Sequence, residues 1–299
     1  MRDVARPAVA GEKSLILVSL CNVGDQTPSS LLLVDVLSWE VTPLAVAAGA
    51  GATGLCRIGD EILVAYQTAE SSVAVLDART LQVRREVPLP GAHDVHSLVA
   101  WGDGVAVASS GTDEVLWYRY DGSVLVDRTV LWTAGAARRD TVHVNGLTTH
   151  GDALICCAFG ARRSDTDLWS ESRDGFVYDV ENERVLLDGL AHPHSVTSLG
   201  AELFLCESSR KCFRSVDRPI AELHGYTRGV ASIDGARVVV GTSRGRVRSR
   251  SSRQLLNPAD DGIDAGDCAL HVVGLDGAVH ETISLAGYGR EIYDVLRLS

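Results

Sequence analysis

Several features that define common classes of protein are missing from this sequence of 299 residues. No apolar run approaches the roughly 20 residues that span a bilayer, so we expect neither a transmembrane helix nor a membrane partner. No C-x-x-C pair occurs among the seven cysteines, which argues against a structural zinc site. No long segment repeats apolar residues at the helical period, and no motif for a redox cofactor is present. Helical, zinc-stabilised and redox-cofactor proteins are therefore disfavoured.

Positive charge is also scarce. Lys13 and Lys211 are the only lysines, and the formal net charge is −11. Phosphate binding is driven largely by positive charge, so this balance argues against general affinity for nucleic acid. Residues 244–253 form an Arg-rich run, but it lacks interleaved aromatic residues and an acidic stretch follows from Asp260. We interpret the run as solvated charge and expect a small molecule as the partner.

The cysteines lie mostly inside apolar patterns, where a free thiol behaves as a small hydrophobic group. Their number is odd and their spacing gives no disulfide framework, so we expect a reducing, cytoplasmic location. The apolar stretch 14–21 follows a charged leader without a small-residue cleavage site after it, and we predict a strand there.

The sequence does contain a short motif that recurs. A polar residue precedes Gly or Ser (Asp in the last copy), then Leu or Val and three further residues lead to a tight turn and a second apolar strand. The copies are T-G-L-C-R-I-G-D at Thr53, H-S-L-V-A-W-G-D at His96, N-G-L-T-T-H-G-D at Asn145, H-S-V-T-S-L-G-A at His194, R-G-V-A-S-I-D-G at Arg228 and the shortened Y-D-V-L-R-L at Tyr293. Short β-rich units separated by Gly and Asp turns indicate a meander of antiparallel hairpins.

Four-stranded units that repeat every few tens of residues predict an all-β fold, a six-bladed β-propeller. The C-terminal strand is expected to complete the N-terminal blade, because this pairing closes the ring without an exposed edge. We predict a single domain, 1–299, whose blades cover approximately residues 14–46 with 291–298, 53–89, 95–131, 143–190, 194–223 and 226–285. Two long segments, 160–175 and 242–268, are expected to overhang the mouth of the ring.

The second half of the chain resembles a known family. The motifs that carry the resemblance are H-V-N-G-L from His143, S-D-T-D-L-W from Ser164, G-L-A-H-P-H-S from Gly189, Y-T-R-G-V-A from Tyr226, V-G-T-S-R from Val240 and R-E-I-Y-D-V from Arg290. They are similar to those of an uncharacterised bacterial β-propeller family of conserved hypothetical proteins. The resemblance covers residues 142 to the C-terminus and implies the propeller fold, but no reaction. The architecture is similar to that of lactonase and strictosidine-synthase-like propellers. The Arg-rich segment after Ser243 departs from the family pattern, so nothing is carried over there.

The residue that opens each motif defines the candidate site. Equivalent positions of a closed repeat lie on one ring, here Thr53, His96, Asn145, His194, Arg228 and Tyr293. Four different polar groups at one repeat position exceed what blade packing needs, and imidazole with a nearby carboxylate suits acid–base chemistry. Hydrogen bonding of an inner-strand histidine to a neighbouring blade is the structural alternative.

We therefore assign roles from the sequence as hypotheses. The catalytic candidates are His96, His194, Glu291 and Glu207. The candidates for binding a substrate are Asn145, Arg228, Tyr293, His143, Trp169 and Arg244, with Arg228 suited to a carboxylate or phosphate or to a salt bridge with Glu291 or Glu207. A divalent transition metal could be held by His96, His192, His194 and His143.

The predicted function is a small-molecule enzyme in the top-face pocket that acts on a polar or anionic substrate. Isomerase, lyase, cyclase and hydrolase chemistry, acid–base or metal-assisted, all fit, and specialised metabolism is the expected setting. The alternative is a non-catalytic propeller that binds a small molecule or a partner protein on the same face.

Overall fold

The computed structural model describes residues 14–21, 29–46, 51–66, 68, 70–135, 140–162, 164, 169–244 and 266–298. In these residues the strands form six antiparallel sheets of four strands each. The prediction of a six-bladed propeller is confirmed.

Each blade contributes an inner, two middle and an outer strand. Blade 1 contains β1 (Leu15–Leu20), β2 (Leu31–Asp35) and β3 (Val41–Pro43). Blade 2 contains β4 (Ala52–Ile58), β5 (Glu61–Tyr66), β6 (Ser72–Asp77) and β7 (Val83–Pro88). Blade 3 contains β8 (Val95–Trp101), β9 (Gly104–Ser109), β10 (Glu114–Tyr120) and β11 (Leu125–Thr133).

The remaining blades follow in chain order. Blade 4 contains β12 (Val144–His150), β13 (Ala153–Ala158), β14 (Gly175–Asp179) and β15 (Arg184–Leu190). Blade 5 contains β16 (Pro193–Leu199), β17 (Glu202–Glu207), β18 (Cys212–Ser215) and β19 (Pro219–Glu222). Blade 6 contains β20 (Tyr226–Ser232), β21 (Arg237–Ser243), β22 (Ala269–Gly274) and β23 (Val279–Ser284). Short 3₁₀ turns cover Ser110–Thr112, Trp169–Glu171 and Ser208–Arg210.

The ring is closed by β24 (Ile292–Arg297), which is the inner strand of blade 1. It pairs antiparallel with β1, and Val18 lies opposite Val295. The closure therefore follows the predicted arrangement, and the stretch 14–21 contains the predicted strand.

The middle strands explain the apolar composition. All six residues of β5 and of β9 are buried, because a middle strand is covered on both faces by the neighbouring blades. Between blades 2 and 3, Leu63 and Val75 pack in one cluster with Val105 and Leu116. The outer strands are largely exposed, as β23 illustrates.

The predicted Gly-Asp turns link the inner strands to the second strands. Gly59, Gly102 and Gly151 take φ values of 57°, 59° and 58°, respectively. A two-residue hairpin with Gly at its first position uses this left-handed backbone. These turns face away from the entry ends of the inner strands, so the six motif-opening residues lie together at the other face.

Two sequence predictions concern features outside the ring. The segment 160–175 contains the 3₁₀ turn at Trp169, whereas most of 242–268, including the Arg-rich run after residue 244, lies outside the described residues. All seven cysteines are buried. None of the helical turns in the described residues is long and apolar enough to cross a membrane.

Candidate functional site

Every inner strand departs from regular pairing at the ring. The pairing skips His96 between Val95 and Ser97 in β8, Asn145 in β12 and Tyr293 in β24. The same irregularity covers residues 53–54 in β4, 195–196 in β16 and Gly229 in β20. Such bulges turn a side chain away from the regular alternation and are over-represented next to active sites. The irregularities include the motif-opening residue in four blades and directly follow it in blades 5 and 6.

His96, Asn145 and Tyr293 form a hydrogen-bonded group at the centre of the ring. The Nδ1 of His96 lies 2.6 Å from Oδ1 of Asn145, and the Tyr293 hydroxyl donates to the same oxygen at 3.3 Å. The rings of His96 and Tyr293 meet edge to face with centroids 5.3 Å apart. All three side chains are buried, and burial raises the pKa of Tyr293 well above its ordinary value. The tyrosine is therefore a neutral hydrogen-bond donor.

The orientation of Asn145 determines the tautomer of His96. The Nδ2 of Asn145 donates to the carbonyl oxygen of His143 at 2.9 Å, and the reverse orientation would place two oxygens against each other. Oδ1 consequently faces His96, whose Nδ1 must carry the proton that it donates. Nε2 of His96 then has a free lone pair, 3.5 Å from a carboxylate oxygen of Asp94. A proton taken up at Nε2 would be stabilised by that carboxylate.

His194 is held as a neutral imidazole with one ring nitrogen unsatisfied. Its Nδ1 contacts the carbonyl oxygen of His192 at 3.0 Å and Oγ of Ser208 at 2.8 Å. Because the carbonyl can only accept, Nδ1 carries the proton and Nε2 is an acceptor. Nε2 is buried and has no hydrogen-bond partner among the described residues. Burial and the nearby guanidinium of Arg228 hold the pKa of His194 well below its usual range.

Arg228 is buried between two tyrosine rings. Its Cζ lies 4.9 Å from the ring centroid of Tyr226 and 5.0 Å from that of Tyr293. Nη1 is 3.8 Å from a carboxylate oxygen of Glu291 and 3.7 Å from Sγ of Cys21. The salt bridge to Glu291, which the sequence offered as the structural alternative, is thus present. Nε of Arg228 has no hydrogen-bond partner in the parts of the chain that the structure describes.

A second layer of aromatic side chains lies above the ring. Phe159 stacks on His192 with centroids 4.5 Å apart and also contacts His143 at 4.7 Å and His194 at 5.0 Å. Nε2 of His192 hydrogen-bonds the backbone oxygen of Trp169 at 2.5 Å, which anchors the 3₁₀ turn to blade 5. Phe159 was absent from the sequence candidates, because nothing in the repeat marks the residue that follows β13.

The pKa values of the two histidines of this layer are shifted in opposite directions. Burial would lower the pKa of His143, but the carboxylate of Asp140, 2.6 Å from Nδ1, outweighs it and raises that pKa. His192 faces no such carboxylate, and burial lowers its pKa to about 4. Both residues, like Asp94, have left-handed backbones with φ of 50° to 55°. Strained conformations of this kind cluster at functional sites.

Two sequence candidates lie apart from the ring cluster. Glu207 accepts hydrogen bonds from the backbone N–H of Ala191 at 2.9 Å and from Arg214 at 3.2 Å, and it also pairs with Arg210. Ser208, one residue further on, is the side chain that reaches His194. Arg244 is exposed at the end of β21.

Metal ligation by the histidines stays a prediction. In the described parts of the chain, no three His, Cys, Asp or Glu side chains form a group that could hold a metal ion. His192 has a partner at each ring nitrogen, since Nδ1 lies 2.7 Å from the Tyr226 hydroxyl and Nε2 contacts Trp169. Nδ1 of His143 is taken by Asp140, and Nε2 of His96 and of His194 is an acceptor in the tautomers described above.

A cavity of about 190 Å³ extends from the ring down the channel. Its upper wall is formed by His96, Asn145, His194 and Tyr293. Below them lies the residue that follows each motif-opening residue. At this position glycine alternates with a polar residue around the ring, in the order Gly54, Ser97, Gly146, Ser195, Gly229 and Asp294. Ser97, Ser195 and Asp294 all line the cavity, and each accepts a hydrogen bond from the backbone of the next blade: from Leu147 N at 3.2 Å, Gly229 N at 2.8 Å and Leu55 N at 2.9 Å.

Sequence reasoning missed Asp294. Both of its oxygens accept backbone hydrogen bonds, yet burial still raises its pKa to about 7. The alternation of small and polar residues after the motif-opening position was a visible signal, because Asp294 is the acidic member of that series.

The fold and the polar ring define a six-bladed β-propeller with a central channel site. The chain belongs to the family described as a domain of unknown function, DUF4915, which matches residues 52–299. The resemblance to an uncharacterised propeller family is thereby confirmed. No curated protein is significantly similar to the chain in sequence.

Solved structures with the same fold are distant in sequence. A chain of a nidogen–laminin complex has a TM-score of 0.68 at 11% identity, with 96% of this chain and 98% of that chain covered. A protein of unknown function from Bacteroides caccae has a TM-score of 0.64 at 12% identity, covering 96% and 99%. A luciferin-regenerating enzyme has a TM-score of 0.56 at 9% identity, covering 78% and 76%. These likenesses establish the propeller fold.

Proposed function

We propose that this propeller is an enzyme that performs acid–base chemistry on a small polar molecule in the central channel, with His96 as the base. The observation that carries the proposal is the 2.6 Å contact between Nδ1 of His96 and Oδ1 of Asn145. Asn145 is fixed by the carbonyl of His143, so it acts as a positioning residue for His96.

The direction of proton transfer follows from the tautomer. Nε2 of His96 accepts a proton from the substrate, and the imidazolium that forms is stabilised by the Asp94 carboxylate at 3.5 Å. Tyr293 donates to the same Asn145 oxygen, which keeps the imidazole in place. Proton transfer of this kind fits isomerase, lyase, cyclase or hydrolase chemistry. We propose that the reaction belongs to specialised metabolism.

Arg228 contributes binding rather than a free positive charge. Glu291 at 3.8 Å already neutralises its guanidinium, so a second carboxylate or phosphate would have to share it. The unsatisfied Nε of Arg228 is a donor and the unsatisfied Nε2 of His194 is an acceptor. Leaving such groups buried costs about 1–3 kcal/mol each. We propose that a polar group of the substrate satisfies them.

The experiment that tests the proposal is a turnover screen. Small polar metabolites are incubated with the purified protein and followed by ¹H NMR, and each converted compound is retested with His96→Gln. We expect that variant to lose about 10²- to 10⁴-fold in rate. The matched control is His280→Gln, which alters an exposed histidine on an outer strand and should keep full activity. Full turnover by His96→Gln would exclude His96 as the base.

A non-catalytic binding protein is the second candidate. The unsatisfied Nε2 of His194 favours it, because that atom needs a hydrogen-bond donor whether or not a reaction follows. Saturable binding of a metabolite that survives His96→Gln, with no product formed, would support this candidate over the enzyme.

A further inference from the structure

Two other blades carry a serine at the position equivalent to Asp294. In blades 3 and 5 the equivalent hydrogen bond to the next blade is made by the hydroxyl groups of Ser97 and Ser195, at 3.2 Å and 2.8 Å. A serine hydroxyl is therefore sufficient for this contact between blades. The carboxyl group of Asp294 brings an ionisable group into the channel that the contact does not require.

The surroundings of Asp294 supply no positive charge. The described residues that line the cavity include no lysine or arginine, and His194 on the same wall is neutral. Asp294 has backbone N–H partners and no ion pair within the described parts of the chain. A carboxylate removed from water without a counter-ion is strongly disfavoured. Such a group is stabilised either by taking up a proton or by a bound cation.

We infer that the cavity beneath the ring is a binding site for a small organic amine, whose ammonium group pairs with the carboxylate of Asp294. The rest of the wall suits the carbon skeleton of such a ligand, because Leu98, Leu147 and Val196 contribute apolar surface. The inference rests on the proposed function, since it names the substrate class of the same channel.

The size of the cavity limits the ligand. A volume of about 190 Å³ is slightly larger than the roughly 150 Å³ cavity that accommodates a benzene molecule in an engineered protein. A six-membered ring with one amino substituent therefore fits. The side chains of Asp294, Ser97 and Ser195 are half-buried, so the cavity is in contact with solvent.

The experiment is a calorimetric titration with three probes of one shape: cyclohexylamine, cyclohexanol and cyclohexanecarboxylate. We expect cyclohexylamine to bind at 1:1 stoichiometry and at least tenfold more tightly than the other two. Its affinity should rise with pH up to about 7, because binding requires ionised Asp294. Asp294→Ser, which installs the residue of the equivalent blades, and Asp294→Asn should each weaken binding at least tenfold. Asp152→Ser, at an exposed carboxylate in a hairpin turn, should leave binding unchanged.

The outcomes separate this inference from the proposed function. Equal binding of the three probes, no binding of cyclohexylamine to the unmodified protein, or unchanged binding by both Asp294 variants would overturn the amine site. Amine binding is measured on the unmodified protein and the Asp294 variants, whereas turnover is measured on the unmodified protein and His96→Gln. Amine binding by the unmodified protein without turnover of any screened compound would count against the proposed enzyme alone.

Discussion

Asn145 holds His96 in one tautomer, with Oδ1 of the amide 2.6 Å from Nδ1 of the imidazole. Replacing Asn145 by Ala removes this acceptor, and the His96 ring then samples both tautomers. We expect the rate of any reaction found to fall by at least about tenfold, within the roughly 10²- to 10⁴-fold loss expected for removal of His96 itself.

The ¹⁵N shifts of His96 provide the decisive measurement, since they report which ring nitrogen carries the proton. The unmodified protein should have Nδ1 protonated, and Asn145→Ala should have a mixture. Asn182→Ala, in an exposed turn of blade 4, is the control and should leave both rate and shifts unchanged. A single tautomer in Asn145→Ala would contradict the positioning role.

Asp113 anchors the segment that carries His143. Its buried carboxylate accepts the backbone N–H groups of Thr141, Val142 and His143, at 2.5, 3.0 and 3.1 Å. Asp113→Asn turns one acceptor into a donor against these N–H groups, so we expect unfolding free energy to fall by about 2–4 kcal/mol. Urea denaturation measures the change. Asp121→Asn, at an exposed turn, should cost less than about 1 kcal/mol.

Gly54 lies at a close contact between two blades. A Cβ placed there would be 2.8 Å from Cα of Ser97 and 2.9 Å from the backbone nitrogen of Leu98. Backbone atoms cannot move aside singly, so Gly54→Ala should destabilise the protein by about 1–3 kcal/mol. Gly235→Ala is the matched control, because a Cβ there meets no atom within 4 Å. Equal melting temperatures for the two variants would refute the tight inter-blade contact.

Asp294 should make stability depend on pH in an unusual direction. Burial raises its folded pKa to about 7, above the ordinary value of 3.8. Between pH 4 and pH 7 Asp294 is protonated in the folded state and ionised in the unfolded state. Its contribution to the free energy of unfolding is therefore fully present below about pH 4 and is lost as the pH rises to about 7.

Chemical denaturation between pH 4 and 8 isolates this effect by comparison with Asp294→Asn. The difference in unfolding free energy between the two proteins should change in favour of the variant as pH rises and become constant above about pH 7. A constant difference over the whole range would mean that Asp294 does not titrate in this window.

The sequence was sufficient for the fold because each blade repeats one pattern of apolar strands and Gly-Asp turns. Repetition also predicted that His96, Asn145, His194, Arg228 and Tyr293 occupy equivalent positions on the inner strands, and the structure places them there. What it could not provide was the direction of individual side chains. Glu207, the last residue of β17, and Ser208, the first residue of the following 3₁₀ turn, illustrate the limit, because these adjacent side chains face different surroundings.

The bulges and the tautomer of His96 could not be predicted from the sequence. A bulge depends on pairing between two strands, and the proton position on His96 depends on the backbone carbonyl of His143 two residues before Asn145. Phe159 and Asp294 were missed for a related reason. Their significance comes from what faces them across the channel, which a linear pattern does not record.

The closure of blade 1 by β24 has a consequence for biosynthesis. Glu291, Tyr293 and Asp294 lie on or beside the strand that leaves the ribosome after all the others. The channel therefore lacks one side until translation of that strand is finished, and His96 and Arg228 lack their partners until then. A nascent chain stalled before residue 290 would have five blades translated and no assembled centre, so ligand binding would report on completion of the ring.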